Sequence, residues 1–259
     1  MMICESLHDW FQTPLGCYLL EREQAWLDRL TPDIFGFHAV QLGLPKIDLL
    51  RASRIVHRVT VAPEGGLERN HVRAQFHELP FEAQSIDLCL LPHVLEFSEN
   101  PHEVLREVDR VLRPEGRVLV LGFNPWSLFG TRKLWTSKGY PWQGQFVSLV
   151  RIKDWLQLLG LEPASGRLTC YIPPCDTEQW QRRFRFLEPT GDRWWGVAGG
   201  VYMLEAIKKV HGMRLIAPAW NDQKMKERKF AAAARYKQSH TALQLPDVTR
   251  RTNHLHVVK

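Results

Sequence analysis

Residues 85–123 constrain the fold of this chain more than any other stretch. "SIDLCLL" (85–91) and "RVLVLGF" (117–123) are compact apolar runs, and an amphipathic segment lies between them. After Asn100-Pro101, a helix-capping pair, Val104, Leu105, Val108, Val111 and Leu112 recur at helical spacing, and Pro114 and Gly116 close the segment. An unbroken apolar run of strand length suits a strand covered on both faces, the setting of a parallel sheet flanked by helices. Two such strands joined by a helix form a βαβ unit, with the crossover expected to be right-handed.

The rest of the chain extends that alternation. Thr13-Pro14 supplies a hydroxyl N-cap and a proline at the first helical position, and apolar spacing carries a helix to about Leu30. A first strand is expected over about 37–42, ending at Gly43, with a two-turn helix over 46–52. "RIVHRVTV" (54–61) and "HVRAQF" (71–76) have strand composition, with a turn at "APEGG" between them. So few residues separate these two strands that the helix normally found in such a crossover should be reduced to a loop. Residues 124–147 read as irregular and rich in aromatics. A second helix over about 150–159 closes at Gly160, and strands are expected at 167–172 and 200–210 with a basic helix at 176–188. The organisation is a helical cap (1–35), an α/β domain (36–212) and a basic tail (213–259).

Charge is unevenly spread. Residues 221–259 hold nine Lys or Arg against three acids, which equals the net +6 of the whole chain. Such a tail can attract nucleic acid; a solubilising, partly disordered tail is the plainer reading. No apolar run is long enough to span a membrane, and the start of the chain lacks the basic and apolar regions of a signal peptide. The five cysteines are odd in number and scattered, with no C-x-x-C pair. They read as reduced thiols of a cytoplasmic protein, not as a disulfide frame or a zinc site.

Residues 78–123 resemble the second half of a class I S-adenosylmethionine-dependent methyltransferase, in the subgroup that includes ubiquinone-biosynthesis-type enzymes. The resemblance rests on Leu79-Pro80-Phe81, on Ile86-Asp87 entering a buried strand, and on Glu107-x-x-Arg110-Val111-Leu112-Arg113-Pro114-x-Gly116. The whole chain also resembles a small branch of uncharacterised bacterial methyltransferases, in which the Thr-Pro helix and the Gly-Phe-Asn-Pro segment (122–125) recur. The implied fold is α/β: a Rossmann-like seven-stranded sheet, parallel except for an antiparallel last strand, with helices on both faces. The implied cofactor, S-adenosylmethionine, lies across the carboxyl ends of the strands.

Three cofactor contacts follow from the resemblance. The glycine loop after strand 1 is here Gln41-Leu42-Gly43-Leu44-Pro45, which keeps one glycine and puts proline, with its fixed φ, at the second. The acid that holds the ribose at the end of strand 2 is absent around Ala62; Glu64 is nearby, in the turn. After strand 3, Gln75 (with Phe76 and His77) stands where a polar group meets the adenine amino group. Pro92, His93 and Glu96 follow strand 4, where the methyl group would face its acceptor.

Methyl transfer from a sulfonium needs positioning above all, and a base only where the acceptor must lose a proton. His93, with Glu96 beside it, is the candidate base or cofactor contact; its plainer reading is a packed histidine at a helix start. His93 and Glu96 alone are too few for a metal site. Trp126, Trp135, Trp142 and Phe146 line an apolar acceptor site or pack as core. Gln179, Arg182, Arg183, Arg185 and Arg193 face RNA phosphates or solvent. The expected activity is methyl transfer to an unidentified acceptor, a small molecule or RNA. The rival is an inactive protein on the same fold, binding RNA through the basic tail.

Overall fold

The structure, a computed structural model, describes residues 6–63, 70–136, 139–174 and 197–209, with single positions at 177, 179, 183, 184, 188, 191 and 193. The tail, Glu64 and most of 176–188 lie outside the described residues, as do 64–69 between the second and third strands.

Two helices open the described chain, α1 (Leu7–Phe11) and α2 (Pro14–Leu30). Thr13 Oγ1 accepts from the Gly16 N–H and Pro14 is the first helical residue, so α2 begins where its capping chemistry requires. Seven strands follow: β1 (His38–Leu42), β2 (His57–Ala62), β3 (His71–Arg73), β4 (Ile86–Pro92), β5 (Leu112–Phe123), β6 (Leu161–Thr169) and β7 (Val201–Lys208). They form one sheet in the order β3-β2-β1-β4-β5-β7-β6. The pairs β1–β2, β1–β4, β2–β3 and β4–β5 are parallel, and β7 runs antiparallel to both β5 and β6. The remaining helices are α3 (Pro101–Val111), α4 (Leu128–Trp135) and α5 (Leu149–Leu158).

Alternation along the central strands builds two cores. Leu88 and Leu90 of β4, with Leu119, Leu121 and Phe123 of β5, pack with Leu19 and Leu27 of α2. Cys89, Leu91, Val118 and Val120 point to the other face, against Val104 and Val108 of α3 and Ile152 and Leu156 of α5. Successive side chains of one strand therefore serve opposite layers, which is why these strands read as unbroken apolar runs.

The residues that carried the resemblance meet in space. Glu107 Oε1 accepts from the Leu79 N–H at 2.8 Å, and Arg110 Nη2 donates to the carbonyls of Leu79 and Phe81, both at 3.0 Å. The Arg110 guanidinium, foremost, holds the Glu107 carboxyl below its usual range, and the Leu79 N–H adds to this. Asp87 likewise accepts from the N–H groups of Phe37 and His38 and from Arg113 Nη1, joining the start of β1 to β4. Burial pushes Asp87 up, yet these donors win and its pKa is lowered. The pieces recur together because each fastens a loop that another carries.

Four expectations are corrected. Residues 46–52 are turns, not a helix, because the Gln41 side chain takes their backbone groups. The 124–147 stretch contains α4, capped by Ser127 Oγ accepting from the Gly130 N–H. The helix after Asn100 has no side-chain cap there, and it ends at Val111, before Pro114, passing directly into β5. The strand expected at 167–172 starts earlier, at Leu161, once α5 has closed at Gly160, whose φ of +77° suits glycine.

Candidate cofactor site

The carboxyl ends of β1, β2 and β4 open into a cavity of about 420 Å³, within the range of small-molecule sites. Gly43 and Pro45 bound it after β1, Ala62 after β2, Phe76 after β3, and Pro92 and His93 after β4. These six are among the residues expected from the sequence. Gln41, Leu42, Gln75, His77 and Glu96 do not form its wall. The N-terminal segment supplies a wall that the sequence did not announce, with Ser6, Leu7 and His8. Phe97 and Tyr140 close another side, their rings 4.9 Å apart. No spacing rule points from residue 8 or 140 to a loop after β1, so these escaped the sequence.

Backbone geometry explains the single glycine. Gly43 has φ +80° and Leu44 φ +48°, two consecutive left-handed residues. A Cβ on Gly43 would lie 3.6 Å from Val94 and 3.7 Å from Phe76, ordinary contacts, so the dihedral and not space demands glycine. The Gly43 N–H donates to Val61 O at 2.7 Å, tying the loop to β2. Gln41 braces this loop. Gln41 is buried; its Nε2 donates to the carbonyls of Gly43, Leu44 and Ile47, and its Oε1 accepts from the Leu49 N–H. An acid cannot donate to three carbonyls. Gln41→Glu is therefore expected to cost about 1–3 kcal/mol of stability, read by urea unfolding. A wild-type midpoint would contradict this bracing role.

His93 lies in the cavity wall. Its φ is +54°, its side chain is wholly buried, and its Nε2 donates to Glu23 Oε1 of α2 at 2.7 Å. Glu96 Oε1 lies 3.6 Å from His93 Nδ1 and accepts from the Phe123 N–H. Burial alone would push the imidazole down; the Glu23 carboxylate, with help from Glu96, outweighs it and lifts the pKa to about 10. His93 and Glu96 are thus a charged brace between α2, β4 and β5. Tyr202, whose hydroxyl pKa is raised by burial and by Glu96, completes this buried cluster.

The residues around the cavity fit S-adenosylmethionine at its two ends. Lys46 stands at the wall with a charge that matches the amino-acid carboxylate. Ala62, Pro63 and Phe76 offer an apolar bed for a purine, and the Phe97 and Tyr140 rings offer π faces to a sulfonium. Among the described residues no Asp or Glu lines the cavity, so the ribose hydroxyls have no carboxylate there.

The aromatic residues after β5 separate into two groups. Trp142 is buried and Phe146 stacks on Phe123 at 5.0 Å, both as core, whereas Trp126 and Trp135 are exposed. Asn124 fixes the turn between them and the sheet: its Nδ2 donates to the carbonyls of Val197 and Gly199, and its Oδ1 accepts from the Trp126 N–H.

A sheet in the order 3-2-1-4-5-7-6 with only β7 reversed, and a cavity at the ends of β1, β2 and β4, define the class I S-adenosylmethionine-dependent methyltransferase fold. Residues 51–120 match the model of a methyltransferase domain family. The uncharacterized protein YafS of Escherichia coli K12 is 35% identical over 156 residues, which cover 59% of this chain and 64% of that protein. The ubiquinone/menaquinone biosynthesis C-methyltransferase UbiE of Bartonella tribocorum is 37% identical over 81 residues, 30% of this chain and 31% of that one. The chain thus spans less than two thirds of either relative. A SAM-dependent methyltransferase structure from Thermotoga maritima superposes with a TM-score of 0.54 at 17% identity, over 74% of this chain and 93% of that one, and shares its fold.

Proposed function

We propose that the chain transfers a methyl group from S-adenosylmethionine to a small, largely apolar acceptor. The cavity at the ends of β1, β2 and β4, with Gly43 held open by Gln41, is the observation that carries this reading. When bound, the cofactor supplies an electrophilic methyl group on a sulfonium. The chain's own residues bind and orient. Gly43 and Lys46 take the amino-acid end, and Phe97 and Tyr140 face the acceptor, excluding water from the line of transfer. His8 also lines the cavity; the Gln12 side-chain amide donates to its Nε2 at 3.0 Å, which leaves the ring proton on Nδ1. The UbiE relative acts in quinone biosynthesis by name, and an apolar acceptor suits the aromatic side of this cavity.

The test is transfer of a tritiated methyl group into cell extract separated into lipid, polar small-molecule and RNA fractions. Label is expected in the lipid fraction. Label in RNA alone would overturn the acceptor class. Cofactor binding with no label anywhere would favour a binding protein, a reading supported by the lack of a carboxylate among the described lining residues.

A further inference from the structure

The turn that follows β4 begins in a conformation that its own residue does not favour. His93 has φ +54°, in the left-handed region where glycine is at ease and a side chain is strained. Pro92, His93, Val94 and Phe97 all line the cavity, so this one turn builds a side of it. The turn closes on itself, with the Phe97 N–H donating to Val94 O at 3.2 Å and Ser98 Oγ donating to the same oxygen at 2.8 Å. It also faces the loop after β1: a Cβ placed on Gly43 would lie 3.6 Å from Val94. The φ of His93 therefore sets the gap between turn and loop.

The imidazole is what holds that dihedral. Its Nε2 donates to Glu23 Oε1 at 2.7 Å, both side chains are wholly buried, and the ring packs on Phe123 with 4.3 Å between centroids. The His93 N–H is fixed as well, on Leu121 O at 2.9 Å. With β4 and that N–H in place, rotation about φ would swing the ring off Glu23. As a device for stability alone the pair is a poor one, since a buried ion pair is commonly no better than apolar side chains of like volume. Strained dihedrals persist where their surroundings over-determine them, and they cluster at binding sites. We infer that the Glu23–His93 pair is a positioning device for the cofactor site: Glu23, from α2, grips the imidazole and so fixes the left-handed start of the turn that carries Val94 and Phe97.

Glu23 does not line the cavity and acts only through His93. The N-terminal helices thus shape the cavity twice, directly through Leu7 and His8 of α1 and at one remove through Glu23 of α2. The ligand used below rests on the reading that this cavity takes S-adenosylmethionine; the hold of α2 on the turn rests on geometry alone.

The test compares two double variants of the full chain, both without the pair. Glu23→Leu/His93→Val puts a β-branched residue at position 93, which the left-handed region all but excludes. Glu23→Leu/His93→Gly puts a residue there that adopts this φ freely but leaves the volume of the ring unfilled. The glycine variant is expected to be the less stable in urea, yet to bind S-adenosylhomocysteine at least about threefold more tightly than the valine variant in a calorimeter. If the pair served stability alone, affinity would follow stability, so a glycine variant that binds no more tightly would overturn the proposal. Amide shifts of the isotope-labelled chain read the turn with no ligand present. Glu23→Ala should move those of Val94, Phe97 and Gly43 most, and Glu23→Gln, whose Oε1 still accepts from His93 Nε2, should move them less. Shifts spread evenly over α2 and β4, or equal in the two variants, would overturn it too. If the wild-type chain binds no S-adenosylhomocysteine at millimolar ligand, the cofactor reading fails, and the amide shifts alone decide the positioning.

Discussion

Glu23→Ala is expected to destabilise the protein by about 3–5 kcal/mol, as measured by denaturant unfolding. The side chains of Glu23 and His93 are fully buried and bonded at 2.7 Å, so removing that carboxylate leaves the buried imidazole its more distant neighbour, Glu96, 3.6 Å from Nδ1. Phe11 and Phe123 pack around that ring, at 5.8 and 4.3 Å, and offer no replacement acceptor. Replacing both partners, Glu23→Leu with His93→Leu, should recover much of the loss, because the cost is an orphaned charge more than a lost contact. Equal losses in the single and double variants would refute the pairing. The same brace sets a pH dependence. Folded His93 holds its proton up to about 10, whereas in the unfolded chain an imidazole releases it near 6.5. Its contribution is fully present below about pH 6.5 and is lost as pH rises toward 10. Unfolding midpoints should fall across that interval in the wild type, and His93→Leu should remove that slope.

Gly43→Val is expected to weaken cofactor binding by about two- to tenfold, with a comparable loss of stability. A β-branched residue at φ +80° is strained by about 1–3 kcal/mol, and the loop relieves the strain by moving off its present path. That path places the Gly43 N–H on Val61 O and keeps the cavity open beside Val94 and Phe76. Because each 1.4 kcal/mol is tenfold in affinity, even half of the strain expressed in binding is measurable. Calorimetric titration of the variant with S-adenosylhomocysteine reads the effect. Wild-type affinity would show that the loop after β1 does not hold this ligand.

Much of the architecture was legible because apolar runs, capping residues and glycine punctuation are local signals. Residues 85–123 announced β4, α3 and β5, and Thr13-Pro14 announced α2. The loop residues Gly43 and Pro45 were found through their place after a strand. What stayed hidden depends on contacts across the chain. Gln41 looks like a lost acid until its amide is seen bonding three carbonyls of the next loop. Nothing local to His93 points to Glu23, seventy positions earlier, as its partner. His8 and Tyr140 reach the cavity only by the packing of the N-terminal segment and the loop after α4. The turn at 46–52 was misread as helix because Leu49 and Leu50 supply apolar spacing, while the hydrogen bonds that decide the conformation come from β1.

The central claim, that a loop with one glycine facing a strand without its acid still holds the cofactor, is tested most directly by titrating the wild-type chain with S-adenosylhomocysteine in a calorimeter. Saturable binding at one site per chain, competed by S-adenosylmethionine and weakened in Gly43→Val, is the predicted result. The absence of any heat of binding at millimolar ligand would contradict it.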